Sequence, residues 1–195
     1  MLVKKWMSKG IVTVDADDSM QQAINLFKEH DIALLPVMKN NKLVGVLAAS
    51  DLKKSPISTG MPLDVQDLLY FTYKTKIRDI MTDSPITVPM DYTVEEAAQI
   101  LLKNKISNAP VIDHRGQVVG IITRDDVFRL LISRTGIERR GVQFAFHVKD
   151  MPGAVQELID VIRSYGGRTA SILSSYEDAP PGHRNVYIRA YNIDR

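Results

Sequence analysis

The sequence predicts an α+β fold in which two β-α-β-β-α units pack as one module and a smaller βαββ domain follows. Three observations carry this reading. The chain of 195 residues repeats itself, with Met7 matching Met81 at a spacing of 74 positions. Within each copy the apolar residues switch from strand to helix spacing and back. From residue 136 onward the repeat stops and a new alternating pattern begins.

Composition narrows the function classes first. The 25 Lys and Arg against 23 Asp and Glu leave a formal charge of +2, too little to neutralise a phosphate backbone. The basic doublets Lys4-Lys5, Lys53-Lys54 and Arg139-Arg140 are isolated, so no nucleic-acid partner is expected. A hydrophobic share of 45% with 25% charged residues is that of an ordinary globular protein and excludes a disordered or collagen-like chain. The most apolar stretch, Val118 to Ile122, falls far short of the roughly 20 residues a membrane helix needs. Met1 to Trp6 lacks the apolar core of a secretion signal, so a cytoplasmic location without a membrane partner is expected. Cysteine is absent, which removes disulfides, thiolate nucleophiles and thiolate metal sites. His30, His114, His147 and His183 are scattered, and no metal site is expected from them.

The repeat justifies each element in turn. Thr13 matches Thr87, Asp17 matches Asp91, Ala23 matches Ala97, Ile32 matches Ile106, and Pro36-Val37 matches Pro110-Val111. Gly45 then matches Gly120 and Asp51 matches Asp126, one position further apart, which places a single insertion in the intervening turn. A short strand, Ile11 to Val14 or Ile86 to Val88, leads into Ser19 with Gln22, or Thr93 with Glu96. Each pair has the spacing of a capping box, in which two otherwise orphan backbone donors at a helix start find side-chain acceptors. Met20, Ala23, Ile24 and Phe27, and Val94, Ala97, Ala98 and Leu101, then fall on one helix face. Two strands follow around a polar turn, Ala33 to Met38 and Leu43 to Leu47 in the first copy, Ala109 to Ile112 and Val118 to Ile122 in the second. A closing helix completes each copy. Neither copy alone buries a comfortable core, and pairing the two supplies one.

These residues carry a family resemblance. Arg78-Asp79-Ile80-Met81-Thr82, Ile86-Thr87-Val88, Asn108-Ala109-Pro110-Val111 and Gly120-Ile121-Ile122-Thr123-Arg124-Asp125-Asp126, in that order and twice over, resemble the cystathionine-β-synthase (CBS) domain. Two in tandem are similar to a Bateman module, a ligand-sensing unit rather than an enzyme. The domains read as residues 1–53 and 77–135 for the two repeats, with 54–76 as a linker. Ser55-Pro56 and Gly60-Met61-Pro62 favour turns in that linker, and Leu63 to Tyr73 suits a short helix, a flexible linker being the alternative.

Residues 136–195 form the last domain. Val142, Phe144, Phe146 and Val148 alternate with polar or small residues as a half-buried strand does. A helix with Val155, Leu158, Ile159 and Ile162 on one face ends at Gly166-Gly167, and strands follow at Arg168 to Ser174 and Asn185 to Tyr191. With Asp150-x-Pro152-Gly153 at the first strand-to-helix junction, this βαββ order resembles an ACT domain, here without its last helix and strand. The resemblance implies a possible effector loop at Asp150 and Gly153. The domain order as a whole is similar to the acetoin utilisation protein B family.

What the CBS resemblance implies about a site is specific. It implies a cleft for an adenosine-containing ligand, AMP, ADP, ATP or S-adenosylmethionine, with no further cofactor. In the second copy Ile86, Ala109 and Pro110 would line the base, Thr87 and Asn108 would supply polar edges, Thr123 would hold phosphate and Asp126 the ribose diol, with Arg124 as a nearby cation and Thr82 also in the nucleotide-binding set. In the first copy Thr13, Leu35, Pro36 and Asp51 remain, but Ala48 stands where Thr123 stands, so this cleft is expected to be the weaker. Thr123 and Asp126 also have the spacing of an ordinary helix cap, and the residues alone leave both readings open. The expected partners are a small molecule and a second copy of the chain, as a homodimer through the CBS module. No phosphate-binding Gly-rich loop, nucleophile elbow or metalloprotease helix is present, so catalysis is not expected. The alternative is a self-associating scaffold with vestigial clefts.

Overall fold

The computed structural model describes residues 1–54 and 65–193. Ser55-Pro56 and Gly60-Met61-Pro62, where the sequence predicts turns, lie outside the described residues. Two compact units are formed, Met1–Val127 and Phe128–Arg195, and the division falls inside a helix. No helix among the described residues is long and apolar enough to cross a membrane.

In the first unit the two copies build two sheets. Copy one contributes β1 (Val14–Asp15), α1 (Met20–His30), β2 (Leu34–Lys39) and β3 (Lys42–Ala48). A helix α2 (Val65–Lys74) precedes copy two, as the linker pattern suggested. Copy two contributes β4 (Thr82–Asp83), β5 (Val88–Pro89), α3 (Val94–Lys103), β6 (Asn108–Ile112), β7 (Val118–Thr123) and α4 (Arg124–Thr135). The leading strands are shorter than the alternating sequence suggests, because only Val14–Asp15 and Val88–Pro89 run beside a neighbour, parallel to β2 and β6. After β3 the described residues of copy one continue into a 3-10 turn, Asp51–Lys54.

Both predicted capping boxes form. Ser19 N donates to Gln22 Oε1 at 2.7 Å and Thr93 N to Glu96 Oε2 at 2.7 Å, while Gln22 N and Glu96 N donate back to the two hydroxyls. The polar turns differ as the single insertion requires. Asn40 and Asn41 both take left-handed backbone, at φ 50° and 61°, which makes a two-residue hairpin. The longer turn is organised by Asp113, whose carboxylate accepts from Gln117 N and Arg115 N at 2.9 Å each. These N–H groups, that of Gln117 foremost, hold the Asp113 carboxyl below the usual carboxylate range.

The second unit joins β8 (Val142–Lys149), α5 (Ala154–Ser164), β9 (Arg168–Ser175) and β10 (His183–Tyr191) in the βαββ order read from the sequence. The strands lie in the order β8-β10-β9, all antiparallel. Ile162 of α5 packs with Val186, Ile188 and Ala190 of the middle strand, and Phe144, Phe146 and Val148 join the cluster from the edge, as their alternation requires. Thr135 O, at the end of α4, accepts from Ser171 Oγ at 2.7 Å and Arg189 Nε at 2.9 Å, which ties that carbonyl to two strands of this sheet.

The copies are not closed within themselves. Val3 N donates to Tyr92 O at 2.8 Å and Lys4 N to Met90 O at 3.0 Å, so the start of copy one docks on copy two. Reciprocally, Ile77 N donates to Asp18 O and Arg78 N to Ala16 O, each at 3.0 Å. Ile77 is fully buried within the core of copy one, beside Val14, Phe27, Leu35 and Leu47. The exchange extends into the sheets: β4 of copy two pairs with β3 of copy one, Thr82 opposite Val46, and Ser8 of copy one bridges to Ile121 on β7. Where the visiting chain passes, the host strand has glycine. A Cβ on Gly45 would lie 2.6 Å from Met81 Sδ and 2.9 Å from Thr82 O, and one on Gly120 would lie 2.8 Å from Ser8 O and against Met7 Sδ.

Gly45→Val and Gly120→Val are therefore expected to lower stability by about 1 to 3 kcal/mol each, the usual cost of overpacking against backbone that cannot retreat. Urea denaturation of each variant measures this; an unchanged midpoint for either would mean that the visiting segment is not held at that glycine.

Candidate functional site

A cavity of about 570 Å³ opens in the first unit, and the exchange determines who lines it. That volume is in the range of small-molecule sites, roughly 300 to 1,000 Å³. From copy one come Leu34, Val46, Ala48 and Asp51, and from copy two come Thr82, Ser84, Ile86, Lys105, Asn108 and Pro110. Because β4 lies beside β3, Thr82 is carried to the strand that ends at Ala48, three residues before Asp51. The two walls of the cavity thus belong to different repeats.

This regroups the residues singled out in the sequence. Thr82, Ile86, Asn108 and Pro110 line the cavity together with Asp51, which the sequence grouped with the other cleft. Thr123, Arg124 and Asp126 are not among its lining residues, nor are Thr13, Thr87, Leu35, Pro36 and Ala109. Leu35 and Ala109 are fully buried, Leu35 in the core of copy one. Asp150 and Gly153 lie in the second unit, where Arg184 Nε stands 3.5 Å from Asp150 Oδ1 and Gly153, at φ 91°, caps α5. Ser50, Ser84, Lys105 and Ser107 line the cavity and were not picked out beforehand. The available signal was the repeat itself, which brackets Lys105 and Ser107 around the matched Ile106.

The two aspartates share one local job. Asp126 is 5% exposed; its Oδ2 accepts from Thr123 N at 2.9 Å and Thr123 Oγ1 at 2.7 Å, while Asp126 N donates to Thr123 Oγ1 at 3.2 Å. That is a complete cap, with Asp in the place Glu takes at Thr93. Asp51 Oδ2 accepts from Ala48 N at 3.1 Å, the same backbone bond without the hydroxyl. Arg124 grips the opposite wall: its N donates to Ser107 O at 2.9 Å and its Nε to Ile106 O at 3.2 Å. It therefore positions the segment that carries Lys105 and Asn108.

Chemically, the cavity combines apolar Ile86 and Pro110 with Asn108, four hydroxyls from Ser50, Thr82, Ser84 and Ser107, one carboxylate and one ammonium. A ring with polar edges and a sugar suits it. Among the described residues no group of three or more His, Asp or Glu is placed to hold a metal ion.

Comparison with known proteins agrees with the architecture. The family model described as the CBS domain matches residues 3–57 and 77–133. An uncharacterised protein of Methanocaldococcus jannaschii is 34% identical over 155 residues, covering 68% of this chain and 92% of that protein. An inosine-5′-monophosphate dehydrogenase of Korarchaeum cryptofilum is 32% identical over 127 residues, but the match spans only 23% of that enzyme. Among solved structures, the CBS domain pair of protein MJ0100, in complex with 5′-methylthioadenosine and S-adenosyl-L-methionine, is 32% identical with a TM-score of 0.57, covering 67% of this chain and 99% of that one. The protein CBSX2 in complex with AMP is likewise 32% identical, with a TM-score of 0.56 over 67% of this chain and 96% of that one.

The cap geometry has a consequence independent of any ligand. Asp126→Ala leaves Thr123 N without its acceptor and should cost about 1 to 2 kcal/mol of stability without added ligand, whereas Asp51→Ala, which loses its bond in a more open place, should cost less. Equal costs in chemical denaturation would contradict the difference in cap completeness.

Proposed function

The chain belongs to the CBS-domain family, and we propose that it is a regulatory, non-catalytic module whose first unit binds an adenosine-containing ligand in the cavity between its repeats. The observation that carries this reading is the lining itself: a carboxylate from one repeat faces an apolar and amide-bearing wall from the other. Adenine stacks against Ile86 and Pro110, with Asn108 at its polar edge. A carboxylate has about four lone-pair sites, so Asp51 can keep the Ala48 N–H bond and still accept from ribose hydroxyls. That AMP, S-adenosylmethionine and methylthioadenosine occupy related pairs supports the ligand class.

Because its walls come from different repeats, the ligand favours whichever arrangement brings them together. Coupling of this kind is typically worth about 1 to 3 kcal/mol and is reciprocal, so whatever reads the arrangement also changes ligand affinity. The reader in this proposal is the ACT-like second unit, whose candidate effector loop is at Asp150 and Gly153, or a partner protein. Self-association is a second element of the reading. Phe128, Leu131 and Ile132, at i, i+3 and i+4 on α4, are 58%, 56% and 49% exposed, and a second copy would cover that face.

Two experiments test these readings. In a thermal-shift series with AMP, ADP, ATP, S-adenosylmethionine and methylthioadenosine, a ligand at about 100 times its Kd should add about 2.7 kcal/mol of stability. Asp51→Ala should remove most of the shift; a larger loss in Asp126→Ala would assign the ligand to the Thr123 and Asp126 cleft that the sequence ranks first. No shift with any adenosine ligand would leave the scaffold reading. In sedimentation equilibrium the wild type should be dimeric and Leu131→Glu predominantly monomeric; a monomeric wild type would refute the pairing.

A further inference from the structure

Internal duplication allows the two halves of the first unit to be compared position by position, and among the equivalent pairs that are opposite in charge one has its lysine on the cavity wall. Lys105 precedes Ile106 as Asp31 precedes the matched Ile32. Both take left-handed backbone, Lys105 at φ 55° and Asp31 at φ 49°, each in the turn that leaves a helix and enters a strand. Lys105 lines the cavity and is its one cation among the described lining residues, with Asp51 the one anion. Among the described residues Lys105 belongs to no ion pair, and Arg124 Nε holds the next carbonyl, Ile106 O, at 3.2 Å. The exposed Lys105 thus lines the cavity with no carboxylate paired to it among the described residues.

We propose that Lys105 reads the charge at the 5′ end of the ligand, so that this cleft prefers an adenosine bearing a phosphate monoester to an uncharged 5′-thioether of the same nucleoside. The inference rests on the cavity being an adenosine site. Asp51 supplies what the sugar needs but repels a phosphate brought in with it, and the hydroxyls of the lining, Ser50 and Ser84 among them, are neutral donors that do not offset that charge. A lysine acts as a compact point charge with three donors, suited to a phosphate whose oxygens it meets in any of several orientations. One ammonium offsets a monoester well and a triphosphate poorly, which places ATP below AMP.

The test is calorimetric titration of the full chain with AMP and with 5′-methylthioadenosine, in wild type, Lys105→Asn, Lys105→Asp and Lys105→Arg. Asn and Asp accept left-handed backbone at little cost, and Asp31 shows that this turn tolerates Asp. Reversing the charge should weaken AMP by about tenfold, with Asn intermediate, Arg near wild type and methylthioadenosine changed by less than about twofold throughout. The AMP preference should shrink as salt is raised. Unchanged methylthioadenosine binding also reports that the variants keep a folded cleft. Equal weakening of both ligands, no weakening of AMP, or a wild type that binds the two equally would overturn the role of Lys105 while leaving the adenosine site standing. A wild type that binds neither would overturn the site and this inference together.

Discussion

The close passage of one repeat's leading segment across the middle of the other repeat's hairpin strand, at Gly45 and at Gly120, is the contact on which the first unit depends. It happens twice with the same backbone partners, Val3 to Tyr92 and Ile77 to Asp18. Each sheet needs the visiting segment: β4 completes one, and Ser8 bridges the other. Since fully burying a valine or isoleucine side chain is worth about 1.5 to 3 kcal/mol, docking Val3 and Ile77 across the repeats makes each core incomplete without the other. The two repeats therefore form one folding unit rather than two linked ones.

The cavity follows from the same crossing. A strand that leaves its own repeat to pair with β3 brings Thr82, Ser84 and Ile86 against the end of β3, where Asp51 stands. No arrangement of self-contained repeats would place those residues together. The same placement brings Asp51, but not Asp126, to the cavity wall, while in both copies Oδ2 accepts the backbone bond that organises the turn.

Duplication supplied the scaffold, and divergence made its halves unequal. Thr123 against Ala48 changes a complete cap into a partial one, and Lys105 against Asp31 reverses the charge at matching left-handed turns. Both differences sit where backbone geometry is preserved, so chemistry varies while the fold does not. The second unit shares none of this symmetry. Its sheet is covered by α5 through Ile162, and the αL glycine at 166 lets Gly167 N reach Ile162 O at 3.0 Å to end the helix.

The order of elements was legible from residue pattern alone, because capping boxes, apolar spacing and turn residues act within a few positions of one another. Ser19 with Gln22, Thr93 with Glu96, the alternation from Val142 to Val148 and the matched glycines are all of this local kind. The grouping of the site was not legible. Membership of the cavity turns on which strand lies beside which, and the pairing of β4 with β3 joins residues far apart in the chain through backbone hydrogen bonds that do not depend on side-chain identity. The repeat thus announced that two equivalent clefts should exist, while the exchange between repeats alone decided that Asp51 would face Ile86 and Asn108, since a crossed segment leaves no trace in the local pattern except a glycine where it passes.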